Sequence, residues 1–76
     1  METIASTLHQ GYRLIASACP AHGDLHTADL VIEKPGGALT TFVALDYFFD
    51  RATALAYATR WGRIWVDMRR QESHRA

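Results

Sequence analysis

The chain has 76 residues, of which 49% are hydrophobic and 21% are charged, and its formal net charge is zero. This composition is typical of one small globular domain and excludes a disordered or membrane-spanning chain. The single cysteine, Cys19, cannot form an internal disulfide and favours a reducing compartment. Residues 1–10 also lack the basic and apolar regions of a secretory signal, so we expect a cytoplasmic protein.

The charges are divided between the two parts of the chain. Residues 1–50 contain two basic and six acidic residues, which gives a net charge of −4. Residues 51–76 contain six basic and two acidic residues, which gives +4. Such an asymmetry bears on the choice of partner rather than on the fold.

The first two predicted strands show alternating apolar residues. Residues 1–10 lack sustained periodicity and are predicted to be partly disordered, with a short helical turn through Ile4 and Leu8 as the alternative. Residues 12–19 then alternate and predict a strand with one fully apolar face. A polar turn at residues 20–24 leads to a second alternating strand over residues 27–34. The residues expected to face the core are Tyr12, Leu14, Ala16, Ala18, Ala28, Leu30 and Ile32.

A third strand and a helix complete the domain. Pro35-Gly36-Gly37 predicts a tight reversal, and residues 39–45, rich in Thr, Phe and Val, predict the third strand. Asp50 is placed to cap a helix that runs from Arg51 to about Arg70. The sequence therefore predicts an α+β domain over residues 11–70, a three-stranded antiparallel β-meander packed against one long C-terminal helix, in the order βββα. Residues 71–76 are predicted to be a flexible tail.

The apolar face of this helix is wider than one sheet needs. Its apolar residues fill an arc of roughly 200°, whereas packing on a single sheet takes about 100°. One margin should therefore remain exposed and bind a partner, unless Phe48, Phe49 and the N-terminal residues cover it within the monomer. We expect Tyr57, Trp61, Ile64 and Met68 to form the partner-binding margin.

The arginines of the helix suggest a different partner. Arg60, Arg63, Arg69 and Arg70 could contact nucleic-acid phosphates, although cations near a helix C-terminus also complement the helix dipole. The outer sheet face is expected to be mixed to acidic, which does not suit nucleic acid. The residues expected there are Arg13, Ser17, Thr27, Asp29, Glu33 and Thr40.

Cys19, His22 and His26 have the spacing of half a zinc site. The other half is missing, so a polar turn is the favoured interpretation, and we predict no metal and no cofactor. No orienting group, oxyanion hole or phosphate loop accompanies these residues, so no catalytic residue is assigned and the protein is predicted not to be an enzyme.

The C-terminal part resembles a family of small proteobacterial proteins. The resemblance lies in the Phe-Asp turn and alanines of residues 49–54 and in the Trp/Ile-Asp ending of residues 58–67. It implies a small stand-alone domain of unknown function and brings no catalytic residues. From the residues themselves we predict an interaction module that forms a homodimer or binds another protein, through the helix margin or a strand edge. Nucleic-acid binding is the alternative.

Overall fold

A computed structural model describes residues 3–74 of the chain. Five strands precede one helix in the order β1 (Thr3–His9), β2 (Tyr12–Pro20), β3 (His26–Glu33), β4 (Leu39–Phe42), β5 (Tyr47–Phe48) and α1 (Arg51–His74). The strands form one antiparallel sheet, ordered β1-β2-β3-β4, with β5 also paired to β3. The helix covers one face of this sheet, so the predicted α+β class and the antiparallel meander under a C-terminal helix are confirmed.

The strand count differs from the prediction because residues 3–9, expected to be partly disordered, form β1. A two-residue turn joins β1 to β2, and its residues Gln10 and Gly11 have φ values of 56° and 83°. Two consecutive positive φ values are the mark of the type I′ turn, whose twist matches that of paired strands. The turn fixes the register Thr3 to Ala18 through His9 to Tyr12, and β1 lies at the edge of the sheet. Residues 1–2 lie outside the described residues.

The predicted third strand, residues 39–45, is shorter than expected, and a further short strand follows it. β4 ends at Phe42, Ala44 adopts a left-handed φ of 53°, and Tyr47–Phe48 then pair with β3 as β5. Asp29 stabilises the break, since its Oδ1 accepts a hydrogen bond from the backbone N–H of Ala44 at 2.7 Å. Residues 47–48 therefore extend the sheet beyond the predicted third strand.

The helix begins where its cap was predicted and ends later than expected. Asp50 Oδ2 accepts hydrogen bonds from the backbone N–H and the hydroxyl of Thr53, each at 2.9 Å. The helix continues to His74, so residues 71–74 of the predicted flexible tail are helical, and residues 75–76 lie outside the described residues.

The core lies between the helix and the covered face of the sheet, and it is built largely from small side chains. Gly62 shows how close the two layers are, because a Cβ placed there would lie 3.1 Å from Leu30 Cδ2 and 3.2 Å from Leu14 Cδ2. Alanines supply much of the remaining contact on both layers. The buried hydrophobic residues are Leu14, Ala16, Ala18, Ala28, Leu30, Ile32, Ala54, Ala58 and Val66.

Candidate interaction surfaces

The predicted helix margin is divided into a packed half and an exposed half. Trp61 packs edge-on against Phe42, with ring centroids 4.6 Å apart, and Tyr57 packs against Phe48 at 5.1 Å. Ile64 and Met68 keep 51% and 58% of their surface exposed. Residues of the same chain thus cover the aromatic part of the margin and leave its aliphatic part open.

The expected internal cover of this margin is only partly present. Phe48 reaches Tyr57, whereas Phe49 is exposed. The N-terminal residues form β1, at the opposite edge of the sheet from β4 and β5. The rest of the margin therefore meets solvent.

An open groove of about 260 Å³ runs along the margin. Tyr57, Trp61 and Ile64 supply its apolar walls, and the cationic side chain of Arg60 also lines it. Apolar walls with one cation suit an apolar contact with a charged rim.

The uncovered face of the sheet is a second exposed apolar surface, and the sequence prediction missed it. Thr40 pairs with Ile32 and so lies on the covered face, which corrects its expected place, and Thr41 takes the outer position beside Val31. Arg13 and Glu33 form an ion pair on the outer face at 3.2 Å. Large apolar side chains also lie on this face. Those that are exposed on this face are Ile4, Leu8, Leu39 and Tyr47, with Ile15 and Val31 half-buried between them.

The register of the strands explains why this surface was missed. Ile15 and Val31 share their sides of the two alternating patterns with charged residues such as Arg13 and Glu33. The outer face was therefore predicted to be mixed to acidic rather than apolar. The added strand β1 places Ile4 beside Ser17 and Leu8 beside Arg13 on the same face. Gln10-Gly11 is a weak signal for this hairpin, because two-residue turns of this type usually begin with Asn, Asp or Gly.

The helix arginines do not form one patch. Arg60, Arg63 and Arg70 fall on one side of α1 at 100° per residue and are exposed. Arg69 points elsewhere, and its guanidinium carbon lies 4.9 Å from the centroid of the Trp65 ring. Three of the four arginines predicted to bind phosphates therefore share one side of the helix, and the fourth, Arg69, packs against an aromatic ring.

One carboxylate on the arginine side of the helix holds α1 to the edge strand. Asp67 Oδ1 accepts a hydrogen bond from His9 Nε2 at 2.8 Å, which requires the proton to be on Nε2. This contact joins the last residue of β1 to the helix. It also adds a negative charge to the side that carries Arg63 and Arg70, which weakens the local positive field.

Cys19 and His26 belong to adjacent strands but to opposite faces of the sheet. Cys19 lies opposite Thr27 on the outer face, and His26 lies opposite Phe48 on the covered face. The Nδ1 atom of His26 is buried and has no hydrogen-bond partner. Among residues 3–74 the structure shows no group of three or more His, Cys, Asp or Glu side chains able to hold a metal ion.

Comparison of the chain with protein-family profiles, curated proteins and solved structures gives no match. The resemblance of the C-terminal part to small proteobacterial proteins therefore stays a prediction. No helix within the described residues is both long enough and apolar enough to cross a membrane.

Proposed function

We propose that the protein is a small, non-enzymatic interaction module whose partner is a second copy of the same chain. The observation that supports this proposal is the distribution of apolar side chains between core and surface. Five of the nine fully buried core residues are alanines and partly buried aromatic side chains pack around them, whereas further large apolar side chains are exposed on both layers. The exposed set is Ile4, Leu8, Leu39, Val43, Tyr47, Phe49, Ile64 and Met68.

Size adds a physical reason for association. A domain of this length buries a smaller fraction of its surface than a larger one and has a correspondingly small margin of stability. Burial of apolar surface contributes about 25 cal/mol per Å², so covering exposed side chains with a second copy offsets part of the entropy cost of association. Association is a common solution for domains of this size.

Charge supports a second copy over an unrelated partner. The N-terminal part of the chain carries −4 and the C-terminal part +4. Arg60 and Arg63 border the exposed helix margin, and residues 1–50 of another copy could supply the opposite charge. The proposal leaves two surfaces for the contact, the margin formed by Tyr57, Trp61, Ile64 and Met68 and a strand edge. It assigns the module to the bacterial cytoplasm, with no cofactor and no catalytic residue.

Sedimentation equilibrium over about a hundredfold range of concentration tests this proposal. We expect the mass to rise to that of a dimer, and the Tm to rise with concentration, because a partner that binds only the folded chain stabilises it by mass action. A monomer at every concentration would contradict the proposal.

Nucleic-acid binding is the second candidate function. The shared side of Arg60, Arg63 and Arg70 favours it, with Arg69 as an added contact. A contact with phosphates releases counterions, so affinity should fall steeply as salt increases. Titration of a fluorescent oligonucleotide at low and moderate salt measures this slope. A flat response, or no binding, would exclude this candidate.

A further inference from the structure

Within residues 3–74, β1 is the terminal strand of the sheet, and only one side of it is paired. The Gln10-Gly11 turn makes His9 and Tyr12 a hydrogen-bonded pair, and bonded pairs alternate along an antiparallel ladder. Every second residue of β1 therefore directs its backbone N–H and C=O towards β2, and the residues between direct theirs outward. The outward residues are Ile4, Ser6 and Leu8.

The far side of the sheet confirms this alternation. Ala28 of β3 lies opposite Ala18, and the alternation predicts that its backbone groups point away from β2. Its N–H donates to the carbonyl of Asp46 at 2.9 Å, and its carbonyl accepts from the N–H of Leu45 at 2.8 Å. The same alternation therefore holds from one edge of the sheet to the other.

The side chains of the outward residues lie on the uncovered face. Ile4 and Leu8 are 62% and 65% exposed, and Ser6 lies exposed between them. Residues 3–9 contain no Lys, Arg, Asp, Glu or Pro. Natural edge strands usually carry such residues, which oppose pairing with other chains. Unpaired backbone groups and apolar side chains thus occur together on an unprotected edge.

We propose that β1 pairs antiparallel with β1 of a second copy, so that the two sheets become one. Ser6 lies opposite Ser6 of the other copy on the two-fold axis, and Ile4 lies opposite Leu8. This register makes all three outward residues hydrogen-bonded, about two bonds per pair. The β1 pairing rests on the proposed function, because it names the surface through which a second copy binds.

The edge is complementary to itself, which selects a second copy as the occupant. Reversing the order apolar, small polar, apolar of residues 4, 6 and 8 gives the same order, as a two-fold axis requires. Ile4 then contacts Leu8 across both ends of the junction, and no like charges meet within it. The axis is perpendicular to the sheet, so both helices cover the same face and the two outer apolar faces join.

The opposite edge lacks this regularity. β4 has four residues and β5 has two, and the left-handed Ala44 lies in the segment between them. Short strands and local breaks are ways in which proteins prevent edge pairing. The two edges of this sheet therefore differ, and β1 is the one suited to pairing.

The helix margin offers less to a second copy. Phe42 and Phe48 already contact Trp61 and Tyr57, so what remains exposed is the open groove beside these two rings and the side chains of Ile64 and Met68. The strand edge adds backbone hydrogen bonds to its apolar contacts.

Charge exchange at Ser6 tests the proposed register. Ser6→Lys and Ser6→Glu leave the ladder with β2 intact, because Ser6 directs its backbone groups outward. In a homodimer, two like charges would lie directly opposite each other, and we expect each variant alone to dimerise about fivefold more weakly or worse than the original chain. An equal mixture of the two should recover dimerisation as a heterodimer.

Two control variants separate this site from other surfaces. Thr41→Lys places the same charge on the same face at the opposite edge strand, and Ile64→Asp places a charge on the helix margin. Both should dimerise like the original chain, with unchanged circular dichroism. Sedimentation velocity on all variants and on the mixture gives the readout.

The outcomes separate the two proposals. If the original chain dimerises and the Ser6 variants dimerise equally well, β1 pairing is wrong and self-association stands, and loss of dimer with Ile64→Asp would then identify the helix margin. If both Ser6 variants are monomeric and their mixture stays monomeric, the register through Ser6 is wrong. If the original chain is a monomer throughout, self-association itself fails.

Discussion

The two faces of the sheet both carry apolar side chains, but only one of them is packed against the helix. The covered face places Ala16, Ala18 and Ala28 under the helix, and Gly62 lets the helix approach closely. The outer face carries large apolar residues such as Ile4 and Leu39, which have no layer over them within the described residues. The first face is shaped for close packing within the chain, whereas the second has apolar area without a partner in the monomer. This contrast is the physical basis for expecting association.

The largest expected effect distinguishes the faces directly. Leu30 is fully buried beneath the helix, and Leu30→Ala should lower the free energy of unfolding by about 3 kcal/mol, since it removes buried methyl groups and leaves a cavity. Leu39→Ala on the outer face, where Leu39 is 63% exposed, should change it by less than about 0.5 kcal/mol. Urea denaturation of both variants at low protein concentration measures the difference. Similar losses would mean that the outer face near Leu39 is covered in solution.

A smaller effect concerns the separation between the layers. Gly62→Val adds a branched side chain where even a Cβ would be 3.1 Å from Leu30, and overpacking of this kind costs about 2 kcal/mol. Ala56→Val is the matched control, because Ala56 is exposed on the same helix and loses only helix propensity, under about 1 kcal/mol. Thermal unfolding of both variants compares them. If Gly62→Val is no worse than the control, the helix can move away from the sheet without loss.

The sequence predicts the covered face better than the outer one. Alternation along residues 12–19 and 27–34 identifies the buried residues of β2 and β3, because one face of each strand is continuously apolar. The capping carboxylate of Asp50 marks the helix start by its local chemistry. These features depend on neighbours in the sequence, so a local pattern is enough to find them.

The rest depends on contacts that sequence patterns do not encode. β1 has a weak alternation and a turn that begins with Gln10 rather than the usual Asn or Asp, so its pairing with β2 is not evident locally. The break after Phe42 depends on a hydrogen bond from Ala44 to Asp29, fifteen positions earlier in the chain. The outer apolar face follows from both features. The partner-binding margin is predicted as a wide apolar arc, but its division into packed and exposed halves depends on Phe42 and Phe48.

The smallest effect concerns the N-terminal cap of the helix that covers one face of the sheet. The hydrogen bond from the backbone N–H of Thr53 lowers the pKa of Asp50 below its ordinary value, and the hydrogen bond from the Thr53 hydroxyl lowers it further. The electrostatic effect of His26 makes a smaller contribution in the same direction. A lowered pKa in the folded state means that this carboxylate stabilises the fold above its unfolded pKa, and that the contribution is lost as pH falls through the folded pKa. Asp50→Ala should therefore lower the Tm by a few degrees at neutral pH.

Asp50→Asn separates the cap from the charge. Asparagine caps helices about as well as aspartate, so this variant should lose less than Asp50→Ala at neutral pH. Its Tm should approach that of the original chain as the solution is acidified, since the original chain then loses its carboxylate while the amide does not titrate. Thermal unfolding followed by circular dichroism from neutral to acid pH measures both differences. The Tm difference between the original chain and the Asp50→Asn variant could instead stay constant as the pH falls. That result would mean that the charge of Asp50 does not stabilise the helix.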